Sequence, residues 1–481
     1  MFIISKMSFA KIAIPLILIS ITVMFTHGVF SPLGDLGISK NTKLLQNSLS
    51  GISEKLQLSE IIFLIIFICA LIRFIIEKRR IYWSPFIKPM IVYLSIVAFS
   101  ITISVSPRNS LIEFIGLLYL VVFFLLWINI VDTKELLNYA VRWWIIVSVA
   151  VSIIGLSGVI LAYGFGINNI FVKYFGKHPY VEDIYRVCST FFQNEKFFSS
   201  YLLISIALTL SLALHEKNRS KRIFLLGIVL LFSINVFFTY SRSIVGILLA
   251  AYMVIFGSRV VSEQSKKRFV KVSKRLGAAF IIAVWVLVLF FSYVQLIDMS
   301  SNTMALFDLP ENMKEPFYYR PDIGIKQTEI TLHYNYTYYL LLKQYALKML
   351  AERPLMGVGG GAFIEQMKNY SRDGKAPRDY LLFDPHSTFF GALAEIGIIG
   401  FIALMYLWFS IMVPLKNRLK SSVMQPDFHL ILAFYAATVG FFVQGSDIDI
   451  MNFRFLWLLF GFGAIALRFN ERIGEYNDSR E

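Results

Sequence analysis

The chain has 481 residues, of which 57% are hydrophobic and only 16% carry a charge, whereas soluble domains carry about 25% charged residues. This composition excludes an ordinary soluble enzyme and indicates a protein with many membrane-spanning helices. The formal net charge of +15 reflects basic blocks between apolar runs. We interpret it as a sign of membrane topology and of contact with anionic lipid headgroups, and not of nucleic-acid binding.

A membrane interior of roughly 30 Å needs about 20 apolar residues per helix. Such windows predict twelve transmembrane helices, at residues 11–30, 58–76, 85–105, 111–131, 141–163, 197–215, 223–239, 243–258, 277–296, 388–413, 428–444 and 453–469. The first window follows two lysines but lacks a cleavage site with small residues. We therefore predict a retained helix and not a signal peptide.

Basic residues set the orientation of these helices. The blocks EKRR, KNRSKR, SKKRFVKVSKR and LKNRLK all fall on the inner side when both termini are cytoplasmic, as the positive-inside rule requires. We therefore divide the chain into helices 1–9 (residues 1–296), a large periplasmic loop (297–387), and helices 10–12 with a cytoplasmic tail (388–481).

The large loop contains two features that resemble ordered structure. The stretch YTYYLLLKQYALKMLAERP is predicted to be helical and is apolar enough to lie in the membrane interface. It is followed by LMGVGGGAF, in which Gly357, Gly359 and Gly361 alternate with other residues. This run lacks the Lys-Ser/Thr of a phosphate-binding P-loop, so we predict a tight turn. An earlier outer segment, residues 164–196, is interpreted as a loop.

The predicted topology brings several polar residues to one level at the outer face. They are His386 at the start of the tenth helix, Arg242 between the seventh and eighth helices, Arg186 before the sixth, and Asp447 and Asp449 in the last outer turn. Taken singly, the histidine is a polar loop residue and Arg242 an arginine that extends to the interface. Their common level is the signal of a functional site.

Two acidic features leave alternatives open. Glu395 lies nine residues after His386, inside the tenth helix, and a carboxylate there usually faces the protein interior. Its role is either structural or catalytic. Asp447 and Asp449 are either ordinary turn residues or a carboxylate pair for a metal such as Mg²⁺; we expect no metal and no cofactor.

This set of residues suits glycosyl transfer from a polyprenyl-diphosphate-linked sugar. Arginines neutralise the departing diphosphate through charge-assisted hydrogen bonds without a metal. A neutral histidine accepts the proton of the attacking sugar hydroxyl. Direct attack assisted by one base would invert the anomeric centre. Because the lipid tail of the donor stays in the bilayer, the catalytic groups are expected at the interface.

Four stretches together resemble the O-antigen ligase/polymerase superfamily. They are RPLMGVGGGAF, DPHSTFFGALAEIGIIGF, TYSRSIVGILLA and RVCSTFFQNEKFFSSYLL, within residues 186–413. The resemblance implies a GT-C-like fold of about twelve helices with the long loop between the ninth and tenth. It also implies that His386 is the catalytic base, that Arg242 contacts the donor diphosphate, and that Asp447 or Asp449 is the acidic residue of the last outer turn.

The sequence departs from this superfamily at one cation. A second arginine is common on the loop helix, at the position near Tyr339, where this chain has none. We expect Lys343, Arg320 or Arg186 to replace it. The usual Pro-His-Asn is Pro-His-Ser here, which is a smaller change.

The resulting hypothesis is an inner-membrane ligase that transfers a glycan from undecaprenyl diphosphate to lipid A core or another glycan acceptor. The polymerase of the same superfamily, which joins lipid-linked repeat units, is the first alternative, and a protein-glycosylating ligase is another. A flippase would line a central path with charged residues through many helices. Here the ionisable residues concentrate at one face, which favours an enzyme.

Overall fold

The computed structural model describes residues 6–22, 58–78, 80–167, 169–178, 181–188, 195–241, 243–262, 342–372, 384–421 and 427–478. The elements in chain order are α1 (Lys6–Ser20), α2 (Leu58–Ile76), α3 (Ile87–Ile103), α4 (Pro107–Ile130), α5 (Lys134–Phe165), β1 (Val172–His178), β2 (Val181–Val187), α6 (Glu195–His215), α7 (Arg219–Thr239), α8 (Ile244–Ser262), α9 (Phe363–Arg372), α10 (Thr388–Ser421), α11 (Phe428–Gln444) and α12 (Arg454–Asp478). Residues 342–352 are also helical and are called the loop helix.

The apolar windows predict these helices well because hydropathy and length are local properties of the chain. α2 and α11 have the bounds of their windows, and every other window within the described residues overlaps a helix. The window 277–296 lies outside the described residues. Five described helices are long and apolar enough to cross a membrane, and shorter apolar helices accompany them. The prediction of an all-α polytopic membrane protein is confirmed.

Within the described residues, short connections join α3 to α4, α4 to α5, α6 to α7 and α11 to α12, so the two helices of each pair run antiparallel. The carboxyl ends of α3, α5, α7 and α11 therefore lie at the same end of the bundle as the amino ends of α4, α6, α8, α10 and α12. We call this the site end. At the opposite end Lys134, at the start of α5, pairs with Asp427 before α11, with 2.7 Å between Nζ and Oδ1.

The segment 164–196 contains an antiparallel hairpin of β1 and β2, in which Val172 lies opposite Val187. The hairpin packs on α5 and α7, and the hydroxyl of Tyr163 in α5 accepts the N–H of Tyr185 at 2.8 Å. The interpretation of this segment as a loop was therefore wrong in part. Each strand is seven residues long. An alternation of apolar and polar residues over so few positions is hard to recognise in a sequence rich in apolar and aromatic residues.

The tenth predicted helix is not continuous. Gly397 has φ 65° and ψ −166°, which breaks α10 about two and a half turns after its start. The window 388–413 predicted the helix itself but gave no sign of this break. A break removes the hydrogen bonds that link residues four apart, so the carbonyls before it and the N–H groups after it need other partners.

The Gly-rich turn, residues 354–361, supplies partners for the carbonyls before the break. The carbonyl of Ala394 accepts the N–H of Val358 at 3.0 Å. The carbonyl of Glu395 accepts the N–H of Gly359 at 2.8 Å. In an unbroken helix these two carbonyls would accept from the residues four positions later in α10 itself.

The same turn also supplies acceptors for the N–H groups after the break. Ile398 donates to the carbonyl of Pro354 at 2.9 Å, and Ile399 donates to the carbonyl of Leu355 at 3.2 Å. In a helix those carbonyls would accept from positions 358 and 359. Two interrupted helical turns have thus exchanged their hydrogen bonds, and all four carbonyls keep a donor.

Two glycines allow the backbones to approach this closely. Both Gly357 and Gly397 have φ 65°, a left-handed conformation that favours glycine. A Cβ atom on Gly357 would lie 2.4 Å from the carbonyl oxygen of Ala394, and one on Gly397 would lie 2.4 Å from that of Leu355. Neither position accepts a side chain without moving backbone.

A small apolar cluster packs the loop helix and α9 against the Gly-rich turn and α10. Its fully buried members come from the loop helix, the Gly-rich turn, α9 and α10, and are Leu342, Ala346, Met349, Val358, Ala362, Phe363, Met367, Tyr370 and Ala394. The turn is also joined to the end of α3, because Val105 donates its N–H to the carbonyl of Val358 at 2.9 Å. The described part of the loop is therefore packed onto the site end.

We expect Gly397→Ala to lower the free energy of unfolding by about 2 kcal/mol or more, because the new Cβ combines a left-handed backbone with a backbone clash. Gly116→Ala in α4 is the matched control, since a Cβ there has no neighbour within 4 Å. It should be neutral or stabilising by up to about 1 kcal/mol. Thermal unfolding in detergent compares the two variants. Equal melting temperatures would contradict the close backbone contact between Gly397 and the Gly-rich turn.

Candidate functional site

His386 lies in a turn that is tied to the connection between α11 and α12. Ser387 donates its hydroxyl to the carbonyl of Gly445 at 3.1 Å, and the N–H of Thr388 donates to the same carbonyl at 2.9 Å. The hydroxyl of Thr388 accepts the N–H of Ile450 at 2.9 Å. These contacts fix the first turn of α10, so the histidine before it has a defined place at the site end.

The backbone of His386 is in the left-handed region, with φ 47°. An oxygen of Asp384 accepts its N–H at 2.7 Å, and the same oxygen lies 3.4 Å from Nδ1 of the ring. The side chain of His386 is 20% exposed and that of Asp384 is 49% exposed. The imidazole is therefore partly shielded but open to a ligand.

A cavity of about 70 Å³ opens beside this turn. It lies between α3, α4, α10, the Gly-rich turn and the α11–α12 connection, and Tyr93 and Thr388 form part of its wall. Four carboxylates also line it: Glu113, Asp384, Glu395 and Asp449. The sequence predicted two of these as supporting residues, Glu395 and Asp449, and the structure brings them to one cavity.

Asp449 is fixed by the start of α10. Its Oδ1 accepts the hydroxyl of Thr388 at 3.1 Å and the N–H of Met451 at 3.2 Å. Burial, together with the negative charges of Asp384 and Glu113, raises the pKa of Asp449 to about 7. Part of the Asp449 population is therefore protonated near neutral pH, which lowers the charge of the cavity.

The carboxylate of Glu395 accepts hydrogen bonds from the backbone next to the Gly-rich turn. Its Oε2 accepts the N–H of Gly361 at 2.9 Å, and its Oε1 accepts the N–H of Phe363 at 3.2 Å. These N–H groups belong to the start of α9, where helices present donors without partners in the helix. Glu395 thus caps α9 from the neighbouring helix.

The predicted cations are only partly described. Arg186 lies in β2 and pairs with Glu195 at the start of α6, with 2.9 Å between Nη1 and Oε1. Lys343 of the loop helix lies over the ring of Phe390 in the first turn of α10, with Nζ 5.7 Å from the ring centre. Arg242 and Arg320 lie outside the described residues.

A chain of polar contacts connects the turn after Arg242 with the turn of His386. The buried amide of Gln444 donates to the hydroxyls of Ser200 and Ser243, at 2.5 Å each. Ser243 follows Arg242 in the sequence, and Gln444 precedes Gly445, whose carbonyl accepts the hydroxyl of Ser387. The starts of α6, α8 and α10 are thereby joined at the site end.

The family comparison now bears on this geometry. Residues 226–405 match the model of a family described as O-antigen ligase. The resemblance to the O-antigen ligase/polymerase superfamily is confirmed. A comparison with curated proteins found no match. The matched segment runs from α7 into α10 and contains His386, Glu395 and the Gly-rich turn, while Arg186 and Asp449 lie outside it.

The match supports an enzyme of the O-antigen ligase or polymerase type, with a lipid-linked glycan and an acceptor as its general partners. It also supports a multi-pass membrane protein, as the apolar helices do. Asp447 lies half-buried in the α11–α12 connection. Among the described residues, no group of three or more His, Cys, Asp or Glu side chains is arranged to hold a metal ion.

Sequence reasoning missed three residues of this candidate site: Glu113, Asp384 and Thr388. The argument that an intramembrane carboxylate faces the protein interior applies to Glu113 as well as to Glu395, and it would have found Glu113. Asp384 begins an Asp-Pro-His run, a pattern typical of a turn in which the aspartate accepts a backbone N–H. Thr388 gives no local signal, because its partners lie about sixty residues later.

We expect Glu395→Ala to lower the free energy of unfolding by about 1–3 kcal/mol, because two N–H groups at the start of α9 lose their acceptor. Glu365→Gln is the control: that carboxylate pairs with Lys368 on the surface of α9 and should change stability by less than about 0.5 kcal/mol. Thermal unfolding in detergent measures both. Similar losses in the two variants would contradict a capping role.

The raised pKa of Asp449 makes stability depend on pH. A folded pKa of about 7 against an ordinary 3.8 means that the folded state retains the proton over this range while the unfolded chain releases it. The free energy of unfolding should therefore fall as pH rises from about 4 to 7. Asp449→Asn removes this contribution and should flatten the decline in melting temperature, whereas Glu365→Gln should leave it unchanged. An equally steep decline in Asp449→Asn would contradict the raised pKa.

Proposed function

We propose that the chain is an O-antigen ligase that transfers a glycan from undecaprenyl diphosphate to lipid A core or a related glycan acceptor. The observation that carries the proposal is the position of His386. It lies at the site end in a rigid turn, it is partly exposed, and an acidic cavity lined by Asp384 opens beside it. This is the arrangement that a base for a sugar hydroxyl needs.

In the proposed reaction the acceptor hydroxyl attacks the anomeric carbon of the donor sugar. The bond from that carbon to the diphosphate oxygen breaks, and its electron pair leaves with the diphosphate. The hydroxyl proton passes to a ring nitrogen of His386. Because attack and departure occur on opposite faces of one carbon, the anomeric centre is inverted. The donor's negative charge is compensated by side-chain cations, without a metal ion.

Arg242 is the proposed main contact of the diphosphate, as the resemblance implies. Support comes from its neighbour Ser243, which is joined to Gln444 and through it to the turn of His386. Arg186, Lys343 and Arg320 are proposed as the additional cations. Of these, Arg186 is held in place at the site end by its ion pair with Glu195.

The proposed location is the inner membrane, with both termini in the cytoplasm and the site end facing the periplasm. The basic blocks between apolar helices support this orientation. The donor would then keep its lipid tail beside the helices while its diphosphate reaches the site end, and residues 297–387 would form the large periplasmic loop.

His386→Ala is expected to lower glycan transfer at least about 100-fold, because a general base contributes roughly that much. Arg242→Ala is expected to lower it at least about tenfold, because the leaving group loses a charge-assisted contact. Arg372→Ala is the control, since Arg372 lies exposed at the end of α9. The purified protein is supplied with lipid-linked glycan and acceptor. Full transfer by both site variants would overturn the assigned chemistry.

A deletion strain distinguishes the members of the superfamily. Bare lipid A core with accumulated lipid-linked polymer indicates the loss of a ligase. Core capped by single repeat units indicates the loss of a polymerase instead, and would replace the proposed acceptor. Movement of lipid across liposomes by the wild-type protein without glycan transfer would indicate a flippase.

A further inference from the structure

We infer that Asp384 is a positioning residue: it orients the imidazole of His386 and stabilises the protonated ring that forms during glycosyl transfer. This inference rests on the proposed function of His386 as the base. It adds a residue that neither the motif resemblance nor the family match assigns, and it follows from two contacts made by one carboxylate oxygen.

The first contact holds the backbone. Oδ1 of Asp384 accepts the N–H of His386 at 2.7 Å, which closes a turn around Pro385. His386 is not glycine, yet its φ is 47°, a conformation that costs free energy for any residue with a Cβ. Such strain persists only where the surroundings maintain it. Asp384 maintains it from one side, and the contacts of Ser387 with the α11–α12 connection maintain it from the other.

The second contact concerns the ring. The same oxygen lies 3.4 Å from Nδ1 of His386, which is long for a hydrogen bond but close for an electrostatic contact. A carboxylate beside Nδ1 favours the tautomer with the proton on that nitrogen, so the lone pair of Nε2 remains available as the base. Contacts of this kind often shorten when substrate binds.

The charge of Asp384 also matters after proton transfer. When Nε2 takes the proton of the acceptor hydroxyl, the ring becomes a cation, and a neighbouring carboxylate stabilises that cation. The exposed fraction of the His386 side chain is only 20%, so water screens the attraction incompletely. In this step the proton moves from the hydroxyl oxygen to Nε2, and the sugar moves from the diphosphate to the acceptor.

Other charged groups surround this pair and remain in place when Asp384 is changed. Asp449 faces it from the α11–α12 connection, Glu113 from α4 and Glu395 from α10, all across the cavity. Lys343 lies near the first turn of α10, over Phe390. A variant that alters Asp384 alone therefore measures the effect of its charge while these other charged side chains stay unchanged.

Asp384→Asn is the decisive variant, because its amide oxygen can still accept the N–H of His386 while the charge is lost. We expect transfer from undecaprenyl-diphosphate-linked glycan to fall about 10- to 100-fold. The acid limb of the pH–rate profile should also move to lower pH by about one unit, because a carboxylate nearby favours the protonated ring. Asp384→Ala also removes the turn contact and should lose more activity.

Glu365→Gln, which changes a carboxylate on the surface of α9, is the matched control and should retain the wild-type rate and profile. A wild-type rate in Asp384→Asn overturns the inference, and so does a lower rate with an unmoved acid limb, because that would mean a purely structural role. If His386→Ala itself transfers glycan at the wild-type rate, the proposed function fails instead. Thermal unfolding confirms that each variant is folded.

Discussion

Four backbone hydrogen bonds between the Gly-rich turn and the break in α10 fix the geometry of the site end. Each segment alone would leave two carbonyls and two N–H groups without partners. In a membrane protein each such group costs several kcal/mol, so neither interruption is tolerable without the other. Because Gly357 and Gly397 allow the contact, the loop and the helix adopt their broken shapes together, and the contact positions the part of the cavity wall formed by Gly360, Glu395 and Ile396.

The break explains why a polar cavity exists within an apolar bundle. Non-helical backbone at membrane depth is tolerated where it is buried in protein or lines a cavity, and the exchange lies beside such a cavity. Glu395 belongs to the same arrangement. The start of α9 comes directly after the Gly-rich turn, and the Glu395 carboxylate accepts two of the N–H groups there. Thr388 and Asp449 then join α10 to the α11–α12 connection. His386 is held between these two fixed points.

Some features of this structure can be predicted from local sequence patterns, whereas others depend on contacts between distant segments. Continuous apolar runs predict α2 and α11 to their last residues, and the quoted motifs point to His386 and to the Gly-rich turn. The break at Gly397 was not predictable, since a single glycine in an apolar helix is typical of close packing as well. Its partner carbonyls lie in another segment, and no local pattern records that pairing. The hairpin of β1 and β2 was missed for a related reason: strand pairing is a contact between segments.

Charge decides how substrates approach this site under the proposed function. The donor carries a diphosphate, and the described residues that line the cavity include four acidic side chains and no Lys, Arg or His to bind it. A sugar hydroxyl is neutral, and carboxylates are good acceptors for its hydrogen bonds. The cavity therefore suits the acceptor side of His386, whereas the diphosphate needs the cations of the hairpin, the loop helix and the turn before α8.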